Sequence, residues 1–135
     1  MTFEADFYGY LATSSAAASF RALVSSRIYW LEIPQKPTYP FTQINIVTTE
    51  LESSLSGASG IQTTGIEINI FDPLHTTIVN IRESLRTLLD GKTFTHGSTK
   101  FHEVHFDGFD EDFITDEPAG FILSSCDFSA THSNT

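Results

Sequence analysis

The sequence predicts an α/β (α+β) fold: a mostly antiparallel sheet packed on an N-terminal helical segment and one long amphipathic helix. Three observations carry this. Two segments between Phe41 and Phe71 alternate apolar and polar residues, first Ile44 and Ile46 against Gln43 and Asn45, then Ile66, Ile68 and Ile70 against Glu67 and Asn69. A period of two is the mark of half-buried strands. Next, Leu74, Ile78, Ile81, Leu85, Leu88 and Leu89 recur at three- and four-residue steps, an apolar helical stripe that needs a sheet to cover. Finally, 135 residues fit one domain, 1–135, able to hide roughly two-thirds of its unfolded surface.

The elements follow in order. Thr2 is placed to cap a first helix whose opening turn carries Glu4 and Asp6, suited to the positive end of the helix dipole, with Phe3, Phe7 and Leu11 on one face. Thr13, Ser14 and Ser15 interrupt it, and residues 16–24 form a second short helix with Phe20, Leu23 and Val24 as its stripe. Residues 27–31 read as a strand. Pro34, Pro37 and Pro40 exclude helix and central strand alike, so this stretch is an extended, exposed connection. Hairpin strands are expected at 41–51 and 62–71, joined by a Gly/Ser-rich flexible loop at 53–60 that a partner would order. Asp72 at the N-cap and Pro73 at the first helical position open the main helix, Gly91 closes it, and Arg82, Glu83 and Arg86 lie on its solvent side. After a short segment at 93–95 come a strand at 100–106, a solvated acidic hairpin tip at 107–117, a last strand at 119–130 and a frayed polar tail at 131–135.

Charge and composition exclude several functions. With 17 acidic and 7 basic residues, the net charge of −10 gives little purchase on nucleic acid through counterion release. A single cysteine, Cys126, forms no intramolecular disulfide and no zinc site of CxxC type, which favours a reducing compartment. Glu4 and Asp6 stand where a secretory signal places Lys or Arg, and no apolar run approaches the roughly 18 residues that span a bilayer. The expectation is a soluble protein made inside the cell, with no membrane partner.

Candidate chemical sites are sparse. His96, His102 and His105 invite a metal, but residues three apart on a strand point to opposite faces, so His102 and His105 do not share an ion without a bulge. The carboxylates from Asp107 through Asp112, with Asp116 and Glu117, do not follow the calcium-loop pattern. Cys126 alternates with Ile122 and Phe128 as a buried apolar residue would, and no nucleophile elbow or phosphate-cradling loop occurs. No cofactor, metal or catalytic residue is expected. Phe109 and Phe113, set in the acidic run, are either interface anchors or folded back on the core.

The order of elements resembles a known family. Residues 20–24 (Phe-Arg-Ala-Leu-Val) leading to Arg27-Ile28-Tyr29, Pro40-Phe41 opening a strand, the Ile66 to Asp72 strand, a helix ending Leu88-Leu89-Asp90-Gly91, and Cys126-Asp127-Phe128 in the closing strand are similar to the tail completion proteins of tailed bacteriophages, themselves similar in plan to the tail terminator of phage lambda. The acidic run and the three-proline connection depart from that pattern. The resemblance implies a virion protein of the tail or neck, assembled in the host bacterial cytoplasm. It would form a ring of its own subunits, a hexamer, on the tail tube. There it would end tube polymerisation and meet the head-completion or neck protein, with DNA passing through the ring.

Leu55, Ser56, Gly57 and Ile61 in the loop, and Phe109, Asp110, Glu111, Asp112 and Phe113 in the acidic run, are the expected partner-facing residues. The rival readings are another phage neck or tail component of related fold, and a small metal-dependent enzyme using His96, His102, His105 and the segment from Asp107 to Asp112.

Overall fold

A computed structural model describes residues 3–54, 57–115 and 120–134. Helices α1 (Phe3–Thr13) and α2 (Ala18–Val24) precede strands β1 (Ile28–Trp30), β2 (Phe41–Ser54) and β3 (Gly57–Asp72). Helix α3 (His75–Leu89) then leads to β4 (Lys92–His96), β5 (Thr99–Ile114) and β6 (Phe121–Asn134). The strands form a six-stranded sheet in the order β1-β2-β3-β6-β5-β4, antiparallel except for the β1/β2 pair. The expected fold class holds.

The two isoleucine alternations meet in register. Ile44 pairs with Ile68 and Ile46 with Ile66; on the other side of β3, Ile68 pairs with Cys126 and Ile66 with Phe128. Paired residues of antiparallel strands point to the same face, so these positions form one apolar surface. Onto it α3 lays Ile78, Ile81, Leu85 and Leu89, all fully buried. The first helix adds Phe3, Phe7, Tyr10 and Leu11, with Phe7 and Phe101 ring centroids 6.1 Å apart and Tyr10 stacked on Phe94 at 3.8 Å. The buried cluster thus joins residues of all three helices to one face of the sheet.

Local signals bound α3, shifted slightly from expectation. The Asp72 carboxylate accepts the Leu74 N–H at 2.8 Å, but the helix starts at His75, so Asp72 shapes the turn into the helix instead of capping its first residue. Gly91 follows the helix with φ +72° and donates its N–H to the Val104 carbonyl at 2.7 Å.

Asp6 departs from its expected role at a helix dipole. It is buried, and its Oδ2 accepts the Ser98 N–H at 3.2 Å and the Thr99 hydroxyl at 2.6 Å, tying α1 to the β4–β5 turn. Gly97 in that turn has φ +59°, and any side chain there would run into the Asp6 carboxylate.

Three expectations are corrected. The segment at 53–60 is largely ladder, with Ser53 paired to Ala58 and Ser54 to Gly57. Gly and Ser lower strand propensity without removing a backbone donor, so a register set by the isoleucines propagates through them. Leu55 and Ser56 lie outside the described residues. Likewise, the acidic run up to Ile114 is strand, paired with β6 from Gly108–Asp127 to Ile114–Phe121, because β6 supplies a continuous partner; Asp116 and Glu117 lie outside the described residues. The tail is not frayed as far as Asn134. Thr131 and His132 pair with β3 on one side and β5 on the other, and His132 is buried, its Nε2 2.7 Å from the Thr64 hydroxyl and its ring stacked on Phe3 at 3.9 Å.

Gly97→Ala should destabilise the protein by at least about 1–3 kcal/mol, since it adds a strained positive-φ residue and displaces the Asp6 carboxylate. Urea unfolding of the variant beside the parent measures this; an unchanged midpoint would show that the Asp6 tie contributes nothing.

Candidate functional site

The features that stand out lie on β5 and on the sheet face away from the helices. A bulge between Phe106 and Gly108 resets the alternation of β5, after which Phe109 pairs with Cys126, Glu111 with Ser124 and Phe113 with Ile122 on the helix side. Asp110 pairs with Ser125 and Asp112 with Leu123 on the open side. The alternation is therefore aromatic and acidic toward the helices, while toward the open face Asp110 and Asp112 stand between Gly108 and Ile114.

Two arginines of α3 reach over this strand. Arg82, expected on the solvent side of the helix, is instead buried: its guanidinium lies 3.8 Å from the Phe109 ring centroid and its Nη1 is 3.1 Å from Glu111 Oε2. Arg86 stands 5.0 Å from the Phe106 ring. Such cation–π contacts and a partly buried ion pair fasten β5 to the helix. His75 Nε2 is also 3.1 Å from Glu111 Oε2. The helical spacing of Ile78, Arg82, Leu85 and Leu89 sets Arg82 beside the buried stripe, a position that its charge alone disguises, and its long side chain lies along the sheet.

On the open face a polar ladder crosses the strands. The Asn69 amide donates to Gln43 Oε1 and to Glu67 Oε1, each at 3.1 Å, and the Asn45 amide donates to Glu67 Oε1 at 3.3 Å. Beside Glu67 in register stands Asp127. Partial burial pushes the Asp127 carboxyl above the ordinary carboxylate range, and the negative charges of Glu67, Asp110 and Asp107 push it further. Asp107 accepts a hydrogen bond from the Ser129 hydroxyl. At the other end of this face Phe41 and Phe71 stack at 4.6 Å, Tyr39 and Phe121 extend the cluster, and the proline-rich connection forms with it a groove of about 440 Å³. Arg27 holds that connection through Tyr39 O and Pro40 O, at 3.0 and 2.9 Å.

The expected partner-facing residues divide into two groups that the fold keeps apart. Gln62, next to Ile61, pairs with His132, which pairs with Phe101; Asp112 pairs with Leu123, which pairs with Phe71. The Gly57 and Ile61 end of β3 and the segment from Phe109 to Phe113 therefore lie toward opposite ends of the sheet. Phe109 is 44% exposed and partly folded back under Arg82, whereas Phe113 is 60% exposed.

The histidines are also dispersed. His96 packs against Gly9 and edge-on to Tyr10, His102 Nε2 is 2.8 Å from the Ser133 hydroxyl, and His105 Nε2 is 3.1 Å from Glu103. Among the described residues no three His, Cys, Asp or Glu side chains are grouped to hold a metal ion. Cys126 is buried, and desolvation pushes its thiol up to about 11, so at neutral pH it is protonated and out of reach of a substrate.

No protein-family model matches the chain, and no curated protein matches it. Among solved structures, the chain is similar to a component of the virion of a native gene transfer agent particle, with a TM-score of 0.70 and 15% identity over 98% of this chain and 95% of that one. At this identity the likeness establishes a shared fold over nearly the full length of both chains. No helix of the described residues is long and apolar enough to cross a membrane.

Asp127 and His132 should give opposite pH dependences. Charge is disfavoured on Asp127 in the folded state, so Asp127→Asn should raise stability at neutral pH, and this advantage should vanish as pH falls through the raised Asp127 pKa and the parent protonates. His132 is held below its ordinary value by burial, opposed by Glu4, so its neutral form stabilises the fold above pH ~6.5 and that contribution is lost as pH falls below it. Urea midpoints of the parent, Asp127→Asn and His132→Gln from pH 4 to 8 read both signs.

Proposed function

We propose that this chain is a structural protein of a tailed-phage-type virion, which assembles as a ring on the end of the tail tube, stops its polymerisation and presents the surface that joins tail to head or neck. The observation that carries the reading is the fold shared with the gene transfer agent virion component over 98% of this chain and 95% of that chain. The order of elements, similar to the tail completion family, supports the narrower role.

The geometry is consistent with assembly by contact. A ring requires a heterologous interface, in which one patch meets a different patch of the next subunit. A sheet with helices on one face only leaves an open face whose polar ladder and aromatic cluster are distinct patches of this kind. The buried, protonated Cys126 and the separated histidines favour a role without bond chemistry. The partners in this reading are further copies of the chain, six to a ring, the tail tube protein and a neck protein. The net charge of −10 discourages adhesion to DNA in a ring lumen.

Deleting the gene from its phage and imaging the lysate tests the role. Tails of uncontrolled length, unjoined to heads, are expected, with length and joining restored by the supplied protein; normal tails on infectious particles would contradict it. Tails of normal length that fail to join would move the protein to another position in the neck.

A further inference from the structure

The outer edge of β5 changes character along its length. From Thr99 to Val104 it is paired with β4; the Gly91 N–H then closes on the Val104 carbonyl, and the Asp90 carboxylate accepts the Phe106 N–H at 2.9 Å. Beyond this point, residues 108–114 are paired with β6 alone, and among the described residues no strand lies on their other side. An open strand edge is a template for another strand, and proteins keep such edges from pairing at random with bulges and charge. This edge has both, the bulge at Phe106/Gly108 and the exposed Asp110 and Asp112.

Protection alone does not account for Phe109 and Phe113, which stand exposed on the alternate positions. Nor does a second copy suit the edge. The same edge of another subunit is equally acidic, and β2 beyond its pairing with β1 carries Glu50 and Glu52 in its sequence. The outer edge of β4 sets Lys92 and His96 on the helix side with Phe94 and has only threonines on the open side, where Asp110 and Asp112 call for cations, and β1 (Ile28–Trp30) has no basic residue. Like charges placed opposite each other across strands are destabilising. Asp107, Asp110, Asp112 and Asp127 form no ion pair among the described residues, whereas Glu111, on the helix side, is already taken by Arg82 and His75.

We propose that residues 108–114 of β5 receive an extended segment of a different polypeptide by strand addition, and that this segment alternates basic and apolar residues. Its basic side chains would face Asp110 and Asp112 on the open side, and its apolar ones would pack beside Phe109 and Phe113 on the helix side. Main-chain hydrogen bonds along the edge supply affinity and the alternation fixes register and face. Burial is the main reason charge is disfavoured on Asp127, and the further contribution from its acidic neighbours is relieved when such cations arrive. The inference concerns one edge of the sheet and does not depend on the tail-terminating role.

The test uses the full chain and a fluorescein-labelled seven-residue peptide of alternating lysine and valine, with an alternating glutamate–valine peptide as control. Anisotropy should show binding of the lysine peptide that weakens at high salt. Hydrogen exchange should slow across residues 108–114, and Asp110→Lys with Asp112→Lys should weaken binding by about tenfold or more. Absence of binding, equal binding of the glutamate peptide, or protection elsewhere on the sheet or helices would overturn the proposal. Concentration-dependent protection of the same amides in the protein alone would also overturn it, in favour of a second copy. Exchange on the parent protein decides the matter even if the double variant fails to fold.

Discussion

The structure depends on the contact between the apolar stripe of α3 and the face built from Ile44, Ile66, Ile68, Cys126 and Phe128. That contact fixes the register, because a one-residue slip would turn every isoleucine of β2 and β3 to the opposite side. It also fixes the asymmetry of the molecule. The first helix packs beside the same surface through Phe3 and Phe7, and Asp6 pins it to the β4–β5 turn, so the helices gather on one face and the other stays open. Each feature singled out above follows from this one-sided layering. The polar ladder around Glu67, the crowded carboxylates around Asp127 and the aromatic cluster at Phe41 and Phe71 all lie on the open face.

The layering also explains why β5 is both anchored and available. Arg82 and Arg86 leave α3 and clamp Phe109, Glu111 and Phe106 from the helix side, spending the nearby positive charge there. Asp110 and Asp112, one residue to either side of Glu111, point away from these arginines. Period-two alternation thus separates a fastened face from an acidic one on a single strand.

Much of this was legible in the sequence, for definite reasons. The Ile66-Glu67-Ile68-Asn69-Ile70 alternation and the three- and four-step leucines of α3 are strong periodic signals, and they placed the sheet and its covering helix correctly. What was not legible depends on neighbours. Residues 53–60 look like a flexible loop because Gly and Ser say nothing about the ladder that Thr63 and Thr64 continue into them. Aspartates from 107 onward look like a solvated tip, since local propensity cannot register that β6 offers an uninterrupted partner. Thr131 and His132 look frayed for the same reason. At the candidate site the acidic and aromatic residues of β5 were visible as an unusual run, but Arg82, Asp127 and Glu67 acquire their meaning only through cross-strand neighbours and the fold of α3 over the sheet.

In the proposed role, the open sheet face and the β5 edge are the surfaces of assembly and the helical side is the structural support. Carboxyl footprinting with a carbodiimide and an amine, read by mass spectrometry on the free protein and on particles that contain it, tests this directly. The account predicts that Asp110, Asp112 and Glu67 are labelled in the free protein and protected in the particle, while Glu83 on α3 is labelled alike in both. Protection of Glu83 with continued labelling of Asp110, Asp112 and Glu67 would contradict it.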